Sequence, residues 1–382
     1  MDKKIDPERL VKLNVEKTQK LMKKNEMNGV IVNRIDNFRF LTGYHSMTSL
    51  FYMNRFSAIL TLNMEFPVIL PRALDVDDVK QYYPWFEDIR GTQLEMNLWP
   101  EIFANVLKDY GIGKGHVGLD PWTPYTLYES MKKEMPDVCF TDASEILESA
   151  RASKSEEEIK LMREAARVAD IGMQACLDTI EPGATELKVS KAGSHALMNA
   201  GAELPLVTYM VASGVNAEIS KEVPTNKIIE KGDSVIIDGG GYTEGYCAEF
   251  ARTKFVGPPS SECMHIYQVV YEAEQKAIEM LRPGSFSHDV DATAREVIRK
   301  AGYEDHEHQY VTGHGLGLSV HEKPLIGPVS YTKNVKLEKG MIVAIEPGIY
   351  KPGVGAVRLE DIVLITDNEP EILTNTEYAS LV

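Results

Sequence analysis

Cysteine is scarce in this sequence, with four in 382 residues. Cys139, Cys176, Cys247 and Cys263 show no CxxC pair or other spacing typical of zinc ligands. A chain of this length can also build a core without disulfide bonds. These observations argue against a disulfide scaffold and a thiolate zinc site, and they favour reduced thiols in a cytoplasmic protein.

Positive charge and long apolar runs are also lacking. Lys and Arg number 41 against 57 Asp and Glu, which gives a formal net charge of −16. Nucleic acids and anionic membranes are bound through clustered Lys and Arg, so we expect neither as a partner. No window approaches the ~18 apolar residues of a membrane-spanning helix, and the first residues lack the apolar segment of a signal peptide. We therefore predict a cytoplasmic protein.

The length of the chain and one helix-start signal indicate two domains. A single core rarely grows beyond about 250–300 residues, and this chain has 382. Ser155 followed by Glu158 is a capping box, which begins a helix. Residues 1–150 alternate strand-like and helical segments and are predicted to form a small α/β domain. Residues 151–382 are predicted to form a second domain of the α+β class.

Local patterns also predict several shorter elements. Residues 36–44 are expected to form an aromatic-rich turn, 207–211 a strand and 213–216 a turn. Residues 234–238 are apolar until Asp238 and are followed by three glycines, so we expect a strand that ends there. Residues 246–255 are predicted to be its partner in a strand pair.

Asp238 and Glu249 are the first two candidate ligands. The turn Thr243-Glu-Gly separates their strands, so a hairpin would bring the two carboxylates together. Two acids at close range raise each other's pKa unless a cation neutralises them. The alternative is a solvated hairpin with unrelated acids.

Two histidines follow in a glycine-rich segment. His314 lies in Thr-Gly-His-Gly-Leu-Gly, where the glycines let the backbone bend around a site. His321 comes seven residues later, and this odd spacing places it on the opposite face of an extended segment. A bend must therefore intervene if the two share a pocket; otherwise His321 is a surface residue.

The last two candidate ligands lie in apolar strand-like segments. Glu346 ends one such segment directly before Pro347, and Glu360 is predicted to lie inside another, on the same face as Arg358. A buried glutamate needs a partner. Either Arg358 pairs with Glu360, or a metal binds Glu360 while Arg358 binds something else.

Carboxylate oxygens with a single imidazole suit Mn²⁺, Co²⁺, Fe²⁺ or Zn²⁺ better than a thiolate set would. Two cations that share bridging carboxylates could activate water and polarise a carbonyl group, as in two-metal hydrolysis. The sequence therefore predicts a hydrolytic metal centre.

In order, the segments IIDGGG, Glu249, TGHGLGLSVHE, IEPGIY and VRLED resemble those of the pita-bread metallopeptidases, the family of prolidase, Xaa-Pro aminopeptidase and methionine aminopeptidase. KSEEEIKLMREAARVAD and NFRFLTGY are also similar to its two-domain, creatinase-like members. The resemblance implies a creatinase-like α/β N-terminal domain, a pita-bread C-terminal domain and a homodimer.

The resemblance also implies roles for individual residues. It implies that Glu346, His321 and Arg358 are the catalytic residues, with Glu346 assisting proton transfer, His321 contacting substrate and Arg358 behind the site. Two divalent ions (Mn²⁺, Co²⁺ or Zn²⁺) would be held by five ligands, which are Asp238, Glu249, His314, Glu346 and Glu360.

Three positions depart from the family pattern. Glu249 stands where the peptidases have Asp, Lys221 where a histidine is expected, and Tyr310 where another histidine is expected. Lys221 and Tyr310 are candidate substrate-binding residues. Lys221 is either an exposed loop lysine or a cation in the pocket that would anchor a substrate carboxylate or disfavour one metal.

The leading hypothesis is a metal-dependent hydrolase that releases the N-terminal residue from Xaa-Pro peptides, as an aminopeptidase or dipeptidase. Because creatinase has Glu at the position of Glu249, the second is a metal-free or single-metal hydrolase or lyase that acts on a small zwitterion related to creatine or ectoine. The third is a binding module without catalysis, which the retained Asp238, Glu346 and Glu360 disfavour because unneeded buried acids cost stability.

Overall fold

The computed structural model describes residues 5–45, 55–93, 95–205, 209–221, 223–307 and 311–379. The chain divides into two compact units, Met1–Arg151 and Ala152–Val382. Within the described ranges, no helix combines the length and the apolar character needed to cross a membrane.

The first unit contains a five-stranded mixed sheet and surrounding helices. The strands have the order β3-β2-β1-β4-β5, in which β1, β4 and β5 run parallel and the other pairs are antiparallel. The strands are β1 (Gly29–Val32), β2 (Ser57–Thr61), β3 (Val68–Leu70), β4 (Gly115–Leu119) and β5 (Val138–Asp142). The helices are α1 (Pro7–Lys24), α2 (Ile35–Thr42), α3 (Val76–Tyr82), α4 (Trp99–Asp109), α5 (Tyr125–Glu134) and α6 (Ser144–Ala152).

The segment predicted as an aromatic-rich turn is mostly helix α2, so that prediction was wrong. Every residue from Asp36 to Thr42 is buried, including the polar Asp36, Asn37 and Arg39, so the helix has no exposed polar face of the kind that marks a surface helix. Its end does carry a signal. Gly43 has φ 64°, and its N–H donates to the carbonyl oxygen of Arg39, as glycine commonly does after the last turn of a helix.

The second unit contains two helix pairs and three antiparallel sheets. The helices are α7 (Glu156–Thr179), α8 (Glu186–Asn199), α9 (Val215–Glu218), α10 (Ser261–Glu279) and α11 (Ser287–Lys300). The first sheet contains β6 (Leu204–Pro205), β7 (Met210–Ser213), β8 (Ser234–Thr243) and β9 (Tyr246–Phe255). The second contains β10 (Gly313–Gly315), β11 (Glu322–Ile326), β12 (Ile342–Ile345), β15 (Asp361–Leu364) and β16 (Glu371–Ile372), and the third is the pair β13 (Gly348–Lys351) and β14 (Gly355–Arg358).

Helix α7 begins at the predicted capping box, which the structure confirms. The Ser155 side chain accepts from the Glu158 N–H at 3.3 Å, and the Glu158 carboxylate accepts from the Ser155 N–H at 2.8 Å. Two otherwise unpaired N–H groups are thereby satisfied at the start of the helix. Further along, α7 lies against Tyr209, whose hydroxyl donates to the Ala169 carbonyl oxygen at 3.2 Å.

Strand β8 continues through Asp238 for five more residues, so the prediction that it ends there was wrong. The glycines that follow Asp238 allow β8 to approach β9 closely, and they do not break the strand. A Cβ on Gly240 would lie 1.9 Å from the carbonyl oxygen of Ala248 on β9, and Gly239 has a φ of 153° that favours glycine. Asp238 therefore lies in the middle of a hairpin strand.

The structure also modifies the predictions of two short elements. The strand predicted over 207–211 is β7 and begins at Met210; residues 206–208 lie outside the described ranges. The turn predicted over 213–216 leads into the one-turn helix α9. Such short elements carry too few residues for a period to appear in the sequence.

A cluster of buried charged side chains lies between β9, β15 and α10. The Arg252 guanidinium donates to the Asp361 carboxylate at 2.6 Å and to the Glu360 carbonyl oxygen at 2.6 Å. Tyr378 donates to the second oxygen of Asp361. Glu274 of α10 is fully buried. Burial, reinforced by the Asp361 charge and opposed by Arg252, raises its pKa well above the ordinary 4.5.

The raised pKa predicts how Glu274→Gln changes stability with pH. Folded Glu274 keeps a proton that the unfolded chain releases above about pH 4.5, so the wild-type free energy of unfolding falls as pH rises towards the folded pKa. Glu274→Gln has no carboxyl group at this position, so its free energy of unfolding does not show this fall with pH. We expect its stability relative to wild type to increase by up to about 1.4 kcal/mol per pH unit between pH 5 and 8, as measured by urea unfolding.

The matched control is Glu272→Gln, because Glu272 is exposed on the same helix. It should follow the wild-type profile. Parallel profiles for Glu274→Gln and wild type across this range would contradict a protonated Glu274.

Candidate metal centre

The β8–β9 hairpin brings Asp238 and Glu249 to one face of the first sheet. Glu249 lies opposite Gly240 in the register, and Asp238 lies opposite Ala251. Residues 238 and 240 share a face because side chains alternate along a strand. Asp238 and Glu249 are therefore diagonal neighbours, and both are buried. The predicted proximity of these two carboxylates follows from the hairpin register.

His314 reaches the same place from the second sheet. Its Nε2 lies 3.2 Å from the Glu249 carboxylate and 3.6 Å from that of Glu346, and its Nδ1 lies 3.1 Å from the Gly315 carbonyl oxygen. Strand β10 ends at Gly315, and the chain bends before β11. The bend returns His321 to a ring-centroid distance of 4.3 Å from His314, although His321 remains exposed.

Backbone hydrogen bonds place the two remaining acids. The Glu346 N–H follows β12 and donates to the Thr312 carbonyl oxygen at 2.7 Å. The Glu360 N–H donates at 3.1 Å to the carbonyl oxygen of Ala251, the residue paired with Asp238. Glu360 lies in the connection between β14 and β15, so the prediction that it lies inside a strand was wrong. This connection joins the third sheet to the second, and its hydrogen bond to Ala251 holds Glu360 beside the first sheet.

The predicted ligands converge on one buried position. Ligand atoms of Glu249, His314 and Glu360 all lie within 4.8 Å of one another. Asp238 neighbours Glu249 in the hairpin, and Glu346 neighbours His314. The centre thus combines four carboxylates and one imidazole, all of them buried.

Arg358 pairs with Asp238. Its guanidinium donates to one Asp238 oxygen and lies 3.9 Å from the Glu346 carboxylate. Neither oxygen of Glu360 has a hydrogen-bond partner within the described part of the chain. Of the two sequence alternatives, the simple Arg358–Glu360 bridge is therefore wrong.

Burial makes negative charge costly in this centre. It raises the pKa of Asp238 to about 7, because the opposing charge of Arg358 only partly offsets desolvation and the neighbouring carboxylates add to it. Desolvation, and then the charges of Glu249 and Asp238, raises the pKa of Glu360 well above its ordinary value. Desolvation also raises the pKa of Glu346. Three of the four acids are thus held towards their neutral forms.

Glu249 and His314 behave as an ion pair. Burial is the largest single effect and works against charge on both, yet their hydrogen bond and the attraction between opposite charges together outweigh it. The pKa of Glu249 is lowered, and that of His314 is raised to about 9. Burial and the neighbouring His314 charge lower the pKa of His321. A cation that binds Glu249 would therefore replace the proton on His314 as its counter-charge.

The donor set fits a divalent metal. Both Glu360 oxygens and one Asp238 oxygen are buried and lack hydrogen-bond partners within the described residues. Such groups carry the full cost of lost hydration unless a cation replaces the missing partners. Oxygen donors with one imidazole match Mn²⁺, Co²⁺, Fe²⁺ or Zn²⁺. The residues can therefore hold the metal that their chemistry suggests.

The two candidate substrate-binding residues have different outcomes. Lys221 is exposed just after α9, and it lines a small cavity together with Asp238 and Arg358. Tyr310 lies outside the described residues, which exclude 308–310.

Tyr350 is a residue of this site that the sequence did not single out. It lies on β13, lines the cavity with Arg358, and has its ring centroid 6.0 Å from the guanidinium carbon of that residue. Desolvation raises its pKa. A signal was present, because Tyr350 follows Glu346 by four residues within the same IEPGIY segment.

Comparison with known proteins gives matches over both units. The profile of Metallopeptidase family M24 matches residues 160–367, and that of the Creatinase/Prolidase N-terminal domain matches residues 14–153. An uncharacterized peptidase of Bacillus subtilis is 31% identical over 95% of this chain and 98% of its own. The Xaa-Pro dipeptidase of Pyrococcus horikoshii is 35% identical over 74% of this chain and 80% of its own.

Solved structures agree with these matches. The prolidase from Thermococcus sibiricus superposes with a TM-score of 0.85 at 30% identity and covers 99% of both chains. The predicted fold class, a creatinase-like α/β N-terminal domain with a pita-bread C-terminal domain, is confirmed.

The unpartnered Glu360 carboxylate predicts opposite effects of Glu360→Gln with and without metal. In metal-stripped protein near neutral pH, the amide removes a desolvated acid, so we expect a gain of about 1–2 kcal/mol in the free energy of unfolding. Added Mn²⁺ should raise the melting temperature of wild type much more than that of the variant, because stabilisation scales with metal affinity. Differential scanning calorimetry measures both effects.

Glu230→Gln is the control, since Glu230 is exposed. It should leave both melting temperatures close to wild type. Equal Mn²⁺ stabilisation of wild type and Glu360→Gln would show that Glu360 does not bind the ion.

Proposed function

Because the chain belongs to Metallopeptidase family M24, we propose that it is a metal-dependent hydrolase that releases the N-terminal residue from Xaa-Pro peptides, as an aminopeptidase or a dipeptidase. The observation that carries the proposal is the convergence of Glu249, His314 and Glu360 within 4.8 Å. The Xaa-Pro dipeptidase of Pyrococcus horikoshii and the prolidase of Thermococcus sibiricus support the substrate class.

In this proposal, two divalent ions (Mn²⁺, Co²⁺ or Zn²⁺) are held by Asp238, Glu249, His314, Glu346 and Glu360. When bound, such ions supply water activation and polarisation of the scissile carbonyl group. Glu249 is one methylene longer than the aspartate expected at its position. Its hydrogen bond to His314 fixes the direction of the longer side chain.

Glu346 is the proton carrier of the proposed reaction. Cleavage of the bond before proline leaves a nitrogen that must gain a proton. Burial raises the pKa of Glu346, which favours the protonated carboxyl group that a proton donor to that nitrogen needs. His314 at 3.6 Å and Arg358 at 3.9 Å keep this carboxylate in place.

His321 and Arg358 have different parts in the proposal. His321 is exposed beside His314, and its lowered pKa favours the neutral ring, which can donate a hydrogen bond to the substrate carbonyl oxygen. Arg358 contacts two of the acids, so it acts mainly as a positioning residue that restrains Asp238 and Glu346.

The substrate is a small peptide in this proposal. The homodimer implied by the family resemblance and the cytoplasmic location stay predictions, as does a role for Tyr310. The alternative, a creatinase-like or ectoine-hydrolase-like enzyme acting on a small zwitterion, is not favoured. It rests on Glu249 and Lys221, whereas the similar proteins are Xaa-Pro dipeptidases and prolidases.

The test is proline release from Ala-Pro and Leu-Pro by metal-stripped protein before and after addition of Mn²⁺ or Co²⁺. We expect activity only with metal and its loss after chelation. Glu346→Gln should lower kcat by about 10²–10⁴-fold, which is the usual contribution of a proton-transfer group. Ala-Pro-Ala distinguishes an aminopeptidase, which cleaves it, from a strict dipeptidase.

Glu338→Gln is the matched control, because Glu338 is an exposed residue of the same unit. It should keep wild-type kcat. No proline release with any of these ions, combined with chelator-resistant hydrolysis of creatine or ectoine, would contradict the proposal and support the alternative.

A further inference from the structure

A tightly built turn fixes the position of Lys221. Helix α9 ends at Glu218, and Ser220 adopts a left-handed conformation with φ 49°. The Ser220 N–H donates to the Ala217 carbonyl oxygen at 2.9 Å, and the Lys221 N–H donates to that of Asn216 at 3.0 Å. This pair of bonds is a Schellman motif. A left-handed serine is less favourable than glycine at such a position.

A buried carboxylate anchors the helix that carries this turn. Glu186 is fully buried, and it accepts from the Asn216 amide at 3.0 and 3.1 Å. It also accepts from the Ser213 N–H at 2.8 Å and from the Thr225 hydroxyl at 2.6 Å. The chain before and after Lys221 is thus tied to one residue. This anchoring argues against the interpretation of Lys221 as an ordinary loop lysine.

The turn places Lys221 at a cavity beside the candidate metal centre. The cavity has a volume of about 20 Å³, enough for a water molecule or one end of a carboxylate. Apolar side chains of Met210, Ala212 and Ile236 form part of its wall, and Asp238 and Arg358 line it as well.

The cavity is lined by two positively charged side chains, Lys221 and Arg358, and by one acid, Asp238. Arg358 already pairs with Asp238 and lies close to Glu346. The structure gives the Lys221 ammonium no hydrogen bond or ion pair to any residue that it describes. One positive charge at the cavity is therefore without a described counter-charge, next to the acids that would hold the metals.

We propose that Lys221 selects substrates whose first residue carries a carboxylate side chain, that is, Asp-Pro and Glu-Pro dipeptides. The inference rests on the proposed Xaa-Pro peptidase function. The substrate's first residue lies next to the scissile carbonyl group, and its side chain can extend towards the cavity beside Asp238. There one end of the carboxylate would enter the cavity and pair with Lys221.

The test compares dipeptides that are matched in size and differ in charge. For metal-loaded wild type, kcat/KM should be about two- to fivefold higher for Asp-Pro than for Asn-Pro, and for Glu-Pro than for Gln-Pro, as expected for one exposed ion pair. Lys221→Met should reduce both ratios to about one, and Lys221→Glu should invert them. Raising NaCl from 0.05 to 0.5 M should shrink the wild-type ratios, because salt screens exposed charges.

Lys191→Met is the control, since Lys191 is exposed on α8 away from the cavity residues. It should keep the wild-type ratios. Equal rates for acidic and neutral dipeptides in wild type, with Ala-Pro and Leu-Pro still cleaved, would overturn the role of Lys221 and leave the proposed function intact.

Loss of cleavage on every dipeptide would overturn the proposed function instead. In that case calorimetric titration of the Mn²⁺-loaded protein with Asp-Pro and Asn-Pro decides the inference. Tighter binding of Asp-Pro that disappears in Lys221→Met supports it, and equal binding overturns it.

Discussion

The cost of burying four carboxylates together is the constraint on which this structure depends. Asp238, Glu249, Glu346 and Glu360 lie close together, and His314 and Arg358 are the positively charged groups that pair with them. Each acid loses hydration and repels its neighbours, which is why the pKa values of three of them are raised. A divalent cation would relieve both costs at once. The same feature that destabilises the metal-free fold would therefore favour the binding of a metal ion.

The surrounding fold holds these groups together against their repulsion. Arg252 bonds to the Glu360 carbonyl oxygen and to Asp361, so the connection that carries Glu360 cannot move away from β9. Arg358 pairs with Asp238, which precedes it by 120 residues in the sequence, and it also lies 3.9 Å from the Glu346 carboxylate. Because Arg252 is buried, Arg358 is half-buried and both are paired with carboxylates, they restrain the ligands and leave the unpartnered oxygens available to a cation.

The departures from the family pattern lie on two sides of this centre. Glu249 keeps a carboxylate and a hydrogen bond to His314, so the longer side chain preserves the ligand chemistry. Lys221 stands where the family pattern has a histidine. A turn anchored through Asn216 and Glu186 places this lysine at the cavity beside Asp238. The first change leaves the proposed reaction class as it is, whereas the second bears on the choice of substrate.

Short-range patterns in the sequence determined much of this protein. They indicated the capping box at Ser155, the β8–β9 hairpin and the residue types of the metal centre, because caps, turns and alternation act over a few residues. Only the tertiary structure decided that Asp238 lies in the middle of a strand, that Glu360 lies in a connection and that Arg358 pairs with Asp238. The first of these features depends on the close pairing of β8 with β9, and the other two depend on contacts between segments about a hundred residues apart, which no local period encodes.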